Sequence, residues 1–308
     1  MGGSPAKGRL IPSKHDLFGR VVLVCCFLAL TASPPTISAR TTATGKHCVW
    51  RVTEVPVPFY LVGSIHNPRG DDYPLPAVYR TALRDSKRLV FEFNPMERNA
   101  FNRELRTVAK YPHGQDIRGR IRPETLALLI KNLRAANIRF DDVKQYKPWA
   151  IALSLLSVRR YSAAGGARSV DSYLSYHARR LGKEVGGLET VDEHVAFWEN
   201  MLEMDGELLL AATVARGARV GELFDETHAA WKRGDVAALS ATRARLRDKN
   251  FRVAQGLFDR RHARWLPRIE AEMKTGIPTA IVAGAGHFSG PHSVVDLLQK
   301  RGYKIQQL

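Results

Sequence analysis

Two short stretches of the sequence place an imidazole three residues after a glycine: Gly63-Ser64-Ile65-His66 and, 221 positions later, Gly284-Ala285-Gly286-His287. Each follows an apolar run that reads as a strand. Each therefore sets a histidine just beyond a strand's carboxyl end, where glycine lets the chain turn sharply or lets a ligand approach the backbone. One G-x-x-H alone is a weak signal, but two copies on strands that are neighbours would bring both imidazoles into one crevice. Glu92 closes the apolar run Leu89-Val90-Phe91, a costly position for a carboxylate without a partner. Glu189 repeats the theme after Val185-Gly186-Gly187-Leu188, although it also fits as one of the acids that open a helix with Asp192 and Glu193. Two carboxylates and two imidazoles at four strand ends suit a divalent cation, or a general base beside an electrophilic helper.

Other chemistry is narrowed by what the sequence lacks. It contains no H-E-x-x-H, no G-x-S-x-G, no P-loop and no C-x-x-C, which removes the familiar zinc protease, the α/β-hydrolase, the Walker ATPase and the dithiol redox site. Arg261 and Trp265 stand four apart in Asp259 to Trp265, hence on one helical face, where the cation either anchors the helix to the core or reaches a substrate carbonyl. His177 and His194 fall on predicted helices and read as surface or core residues.

The elements that must position these groups follow from periodicity. Cys48 to Thr53 and Phe59 to Gly63 read as a hairpin, Leu75 to Lys87 as a helix, and Leu89 to Phe93 as a strand. Helical spacing then dominates from about 99 to 270, broken near Gly165-Gly166 and by a brief strand-like piece at Lys183 to Leu188. Thr279 to Ala283 is a compact strand. Ser293 and Asp296 mark the start of a last helix that Gly302 stops, and Lys304 to Leu308 reads as a final strand. The expected fold is a single α/β (α+β) domain over 40–308, a central mixed sheet built from strands near both ends of the sequence with a large helical insertion.

The chain of 308 residues carries 47 basic against 30 acidic residues, a formal charge of +17. Lys7, Arg9, Lys14 and Arg20 precede the apolar run Val21 to Ala32, which is too short to span a bilayer but suits a secretory signal within 1–39, cleaved between Ala32 and Arg40. Export to the periplasm or medium is expected, with an uncleaved inner-membrane anchor as the alternative. Cleavage would leave Cys48 without an internal disulfide partner, so the exported domain must be held by its core. Arg243 to Arg268 holds nine Lys/Arg against Asp248 and Asp259, which reads as a solvated helix face. No aromatic interleaving suggests base stacking, so nucleic acid is not an expected partner. The charge points instead to an anionic membrane surface or an acidic substrate.

Seven ordered blocks then carry a resemblance: YLVGSIH with YPLP after it, LVFEFN, KPWA, VDSYL with GKEVGGLET, WKRGD, RHARW and AGAGHFSGPHSVVDLLQKRGY. From Val49 to Leu308 the chain resembles the TraB/GumN/Tiki family. The resemblance implies a metal-dependent peptide hydrolase with a fold similar to the erythromycin esterase and haem-binding ChaN proteins. It implies that His66, His287 and Glu92 hold a divalent metal ion (Mn, Co or Zn), that Glu189 serves as base, that Arg261 polarises or anchors, and that the substrate is a peptide or protein. A metal-free esterase-type hydrolase and a non-catalytic peptide- or haem-binding protein are the alternatives. Two positions depart from the family pattern. Ser64 replaces the usual Thr, keeping the hydroxyl. His262 replaces the Asn that usually follows the Arg of RHARW, which would add a ligand or remove an amide that orients one.

Overall fold

The computed structural model describes residues 45–163, 168–216, 220–249 and 251–308. The expected signal segment, with Cys25 and Cys26, and the break at Gly165-Gly166 lie outside the described residues. Six strands form one sheet: β1 (Val49–Thr53), β2 (Phe59–Ser64), β3 (Arg88–Phe93), β4 (Glu184–Glu189), β5 (Thr279–Gly284) and β6 (Lys304–Gln307), in the order β4-β3-β5-β2-β1-β6. β4, β3, β5 and β2 run parallel, and β1 lies antiparallel between β2 and β6. The mixed α/β sheet is thus as expected, including the β1–β2 hairpin. One of its edge strands, β4, comes from inside the long helical region.

Helices fill the connections. α1 (Ala77–Asp85) joins β2 to β3; α2 (Arg98–Val108), α3 (Pro123–Ala135), α4 (Pro148–Ala163) and α5 (Val170–Arg180) lie between β3 and β4. α6 (Val191–Arg216), α7 (Val220–Lys232), α8 (Val236–Lys249), α9 (Phe251–Ala254) and α10 (Arg260–Lys274) lie between β4 and β5, and α11 (Val294–Lys300) precedes β6. The Ser293 hydroxyl caps α11 by accepting from the Asp296 N–H at 3.2 Å, and Gly302 ends it at φ +92°, the left-handed conformation that glycine adopts without strain. Among the described residues no helix is long and apolar enough to cross a membrane.

β2 and β5 are buried at every position, which is why they read as continuous apolar runs: a central parallel strand is covered on both faces. Two apolar cores result. One is built on the sheet with α1, α5, α10 and α11; the other is helical, with Phe101, Leu129, Trp149, Trp198, Leu210 and Phe258 among its members. The carboxyl edge of the sheet faces the seam between them.

Gly63 works differently from either motif reading. A Cβ there would stand 2.9 Å from the Cys48 carbonyl oxygen and 3.0 Å from the Ala285 side chain, so the glycine lets β1 and the turn after β5 close on β2. Its own carbonyl accepts from the Tyr79 hydroxyl at 3.1 Å and the Trp231 indole at 3.0 Å. Cys48 is fully buried beside it, and burial, with the charge of Asp235, pushes its thiol up to about 12, so it is an inert core residue. Gly63→Ala is expected to cost about 1–3 kcal/mol in urea unfolding through overpacking. A cost below ~0.5 kcal/mol would show that the three segments can part without strain.

Candidate functional site

Parallel pairing sets Ser64 of β2 beside Gly284 of β5, while β3 flanks β5 and β4 flanks β3. The strand ends that carry His66, His287, Glu92 and Glu189 therefore lie along one edge, the place where open α/β sheets hold their ligands. The two G-x-x-H strands are neighbours, as their motif required.

The carboxylates are tied by one cation. Arg261, fully buried at the start of α10, donates from Nε to Glu189 Oε1 at 2.8 Å and from one terminal nitrogen to Glu189 Oε2 at 2.9 Å and Glu92 Oε2 at 2.8 Å. Its guanidinium packs between the rings of Trp265 at 4.5 Å and Phe197 at 4.7 Å, and the Trp265 indole donates to Glu189 Oε1 at 2.9 Å. The i, i+4 spacing of Arg261 and Trp265 thus delivers both to one carboxylate. Glu92 Oε1 accepts the Gly284 N–H at 2.9 Å. Burial pushes both acids toward the neutral form, but it is outweighed by Arg261 and by the Gly284 N–H for Glu92, and by Arg261 and His194 for Glu189. Glu92 is held low and Glu189 well below the usual carboxylate range, so both are ionised.

Hydrogen-bond logic fixes the imidazole tautomers. Trp198 Nε1 can only donate, so His194 Nε2 accepts it at 3.3 Å, and His194 Nδ1–H donates to Glu189 Oε2 at 2.6 Å. With donors from Arg261, Trp265 and His194 and a wholly buried side chain, Glu189 has no lone pair aimed at solvent. Glu189 thus ties Arg261, Trp265 and His194 together, an arrangement that leaves it poorly placed for the expected role as base. On the other flank the His292 carbonyl can only accept, so His262 Nδ1–H donates to it at 2.8 Å, His262 Nε2 accepts from His287 Nδ1–H at 2.9 Å, and His287 Nε2 carries a lone pair. That lone pair stands 3.7 Å from Glu92 Oε1. Burial, with the charge of Arg261, holds His287 neutral. His262 is therefore a residue that orients His287, the work an Asn amide could do.

The basic run Arg243 to Arg268 is only partly a solvated face. Arg243 is buried; it donates to the Ser289 carbonyl at 2.6 Å and the Pro291 carbonyl at 3.1 Å, and lies 4.5 Å over the Phe258 ring. Phe258 sits on a π-helical turn, Gln255–Asp259, and packs 5.1 Å from His287. The wider turn is a local departure of the kind found beside functional groups.

His66 lies in a narrow cleft of about 60 Å3 that borders this network at Glu92 and His194 and is lined also by Arg98, Asp171 and Ser172. His66 Nδ1 is 3.4 Å from Asp171 Oδ2, and the Ser64 hydroxyl donates to Asp171 Oδ1 at 2.8 Å, which shows what the retained hydroxyl does. The helical core supplies one wall through Phe101, and the sheet the other through Phe91. Sequence reasoning missed Asp171, Arg98 and the part played by His194. Asp171 follows the Ser169 N-cap of α5 and so looks like an ordinary first-turn acid; its place in the VDSYL block was the available signal.

The sequence profile of the TraB/PrgY/gumN family matches residues 48–307. The chain belongs to the TraB/PrgY/gumN family. It is similar to a Danio rerio protein named Metalloprotease TIKI2, at 24% identity over 310 residues covering 81% of this chain and 58% of that protein. The chain thus spans little more than half of that relative's length. No solved structure matches.

The relative's name raises the fit of a metal. Among the described residues no group of three or more His, Cys, Asp or Glu side chains is gathered to hold an ion. What exists is an open pair, the His287 Nε2 lone pair facing Glu92 Oε1, in a cluster where two carboxylates and one guanidinium leave one net negative charge. His287 also donates its other nitrogen to His262, the outer partner that metal-binding imidazoles require. The pair offers two donors, falls short of the three protein ligands of a catalytic zinc site, and meets the cleft only through Glu92, His287 being buried behind it.

Removing Arg261 leaves two buried carboxylates facing each other, so Arg261→Met is expected to cost about 3–5 kcal/mol in urea unfolding; a cost under ~1 kcal/mol would mean the carboxylates do not depend on it. His262 gives a second expectation. Burial holds its pKa at about 3 against the ordinary 6.5, so from pH 6.5 downward the unfolded chain takes up a proton that the folded chain refuses until near pH 3. Stability is full above pH 6.5 and falls through that window. His262→Asn should flatten the fall of Tm with pH, and an unchanged slope would place the acid sensitivity elsewhere.

Proposed function

We propose that the protein is an exported hydrolase that cleaves amide bonds in peptides, acting in the cleft at the carboxyl edge of the sheet. The observation that carries this reading is the Ser64–Asp171–His66 array opening on the same cleft as the ionised Glu92. Asp171 orients His66 through Nδ1, and Nε2 would take a proton from the attacking water and return it to the leaving amine. A positive His66 is stabilised by Asp171 as the proton arrives. Glu92, kept charged by Arg261 and the Gly284 N–H, would stabilise the positive His66 across the cleft and accept a hydrogen bond from the attacking water.

Metal dependence is part of the proposal, the ion being Mn, Co or Zn. His287 Nε2 and Glu92 Oε1 would hold the ion, which when bound lowers the pKa of water and polarises the scissile carbonyl. The name of the TIKI2 relative supports a peptide substrate and a metal, and the apolar run Val21 to Ala32 supports export. A peptide-library cleavage assay tests the reading. His66→Asn is expected to lower kcat by about 10²–10⁴-fold, and chelation is expected to abolish turnover, with Mn or Co restoring it. Full activity in the Asn variant would remove His66 as base; activity unchanged by chelation would remove the metal.

A further inference from the structure

Arg98 is the charged group of the cleft that the reaction above does not use. It begins α2, directly after Glu97, and its side chain lines the cleft with His66, Glu92 and Asp171. Three features make this an expensive place for a guanidinium. Among the described residues no carboxylate oxygen lies within 4 Å of it, and its polar contact is a 3.5 Å approach to the Ser172 hydroxyl, at the limit of a hydrogen bond. It stands at the amino end of a helix, where the backbone dipole is positive and no acid lies in the first turn. Burial lowers its pKa, and the charge of Asp171 offsets this only in part. Asp171 is itself engaged by Ser64 and His66. A cation kept in a partly desolvated cleft without a carboxylate partner, with five donors in a planar fork, is matched to an anion that arrives from outside.

We infer that Arg98 is a specificity residue that binds a carboxylate of the substrate beside the bond to be cleaved. The inference rests on the hydrolase reading and names its substrate class: peptides bearing an acidic group at the cut site. The narrowness of the cleft suits one extended residue or a chain end. The carboxylate comes either from the free C-terminus or from an Asp or Glu side chain, and the two sources share the same fork geometry. The residue also gives a local origin to the preference for acidic substrates that the net charge of +17 suggested only in bulk.

The test compares wild type, Arg98→Met and Arg98→Lys on peptide pairs that differ by one carboxylate: a C-terminal acid against its amide, and an internal Glu against Gln. In one of the two arms, wild type is expected to favour the carboxylate peptide by ~30-fold or more in kcat/KM, mainly through KM. Arg98→Met should collapse that ratio, and Arg98→Lys should keep part of it. A wild-type ratio near one in both arms overturns the inference. So does a Met variant in which both members of a pair lose activity equally, since that is the mark of a residue that merely positions Asp171. Titration calorimetry with an N-acetylated dipeptide bearing a free carboxylate or a Glu side chain separates this inference from the hydrolase reading. If no peptide is cut, about 30-fold weaker binding by Arg98→Met upholds the carboxylate site while the hydrolase fails; equal binding by both proteins overturns the site.

Discussion

The structure around the cleft depends on one constraint: two carboxylates sit at adjacent strand ends in a water-poor interior, and neither can stay charged there alone. Arg261 resolves it by bonding to both, so that Glu92 on β3 and Glu189 on β4 are held in fixed register by a residue from α10. Because the guanidinium is fully buried and flanked by Trp265 and Phe197, it has little freedom to follow a ligand. It behaves as a permanent internal counter-ion. The helical region is thereby fastened to the sheet at the point where the two cores meet.

A second consequence is directional. Glu189 has every donor it can use and faces no solvent, whereas Glu92 keeps Oε1 toward the His287 lone pair and one side toward the cleft. The same cation therefore serves one carboxylate that is enclosed and one that borders the cleft. The His292–His262–His287 chain does the equivalent for nitrogen, fixing which atom of His287 carries the lone pair. Arg243 and the π-helical turn bearing Phe258 hold that chain in place from the far side.

Much of this was legible from residue order, and the reasons differ by residue. Glu92 declared itself because an acid after three apolar strand residues needs a partner, and the paired G-x-x-H motifs declared the strand neighbours they sit on. The continuous apolar runs of β2 and β5 reported double-sided burial. What sequence could not convey was which face a charge takes once helices pack. Arg243 and Arg261 stand in a basic run that looks solvated, yet each is drawn inward by carbonyls or carboxylates from segments far away in sequence. Asp171 was hidden for the same reason, since a first-turn acid is ordinary until a strand end brings Ser64 and His66 against it. Glu189 looked chemically equal to Glu92, and only the geometry of Trp265 and His194 separates them.

In the proposed reaction Glu92, kept ionised by Arg261, belongs to the reacting centre and not to the scaffold alone. The most direct measurement is kcat/KM for peptide cleavage by Glu92→Gln, taken beside its urea unfolding curve. The Gln side chain has the same shape but a single oxygen, so it serves only one of the Arg261 and Gly284 donors; at denaturant concentrations where its unfolding curve shows it folded, turnover is expected to fall by about 100-fold or more. A Glu92→Gln protein that cleaves peptide at the wild-type rate would contradict it.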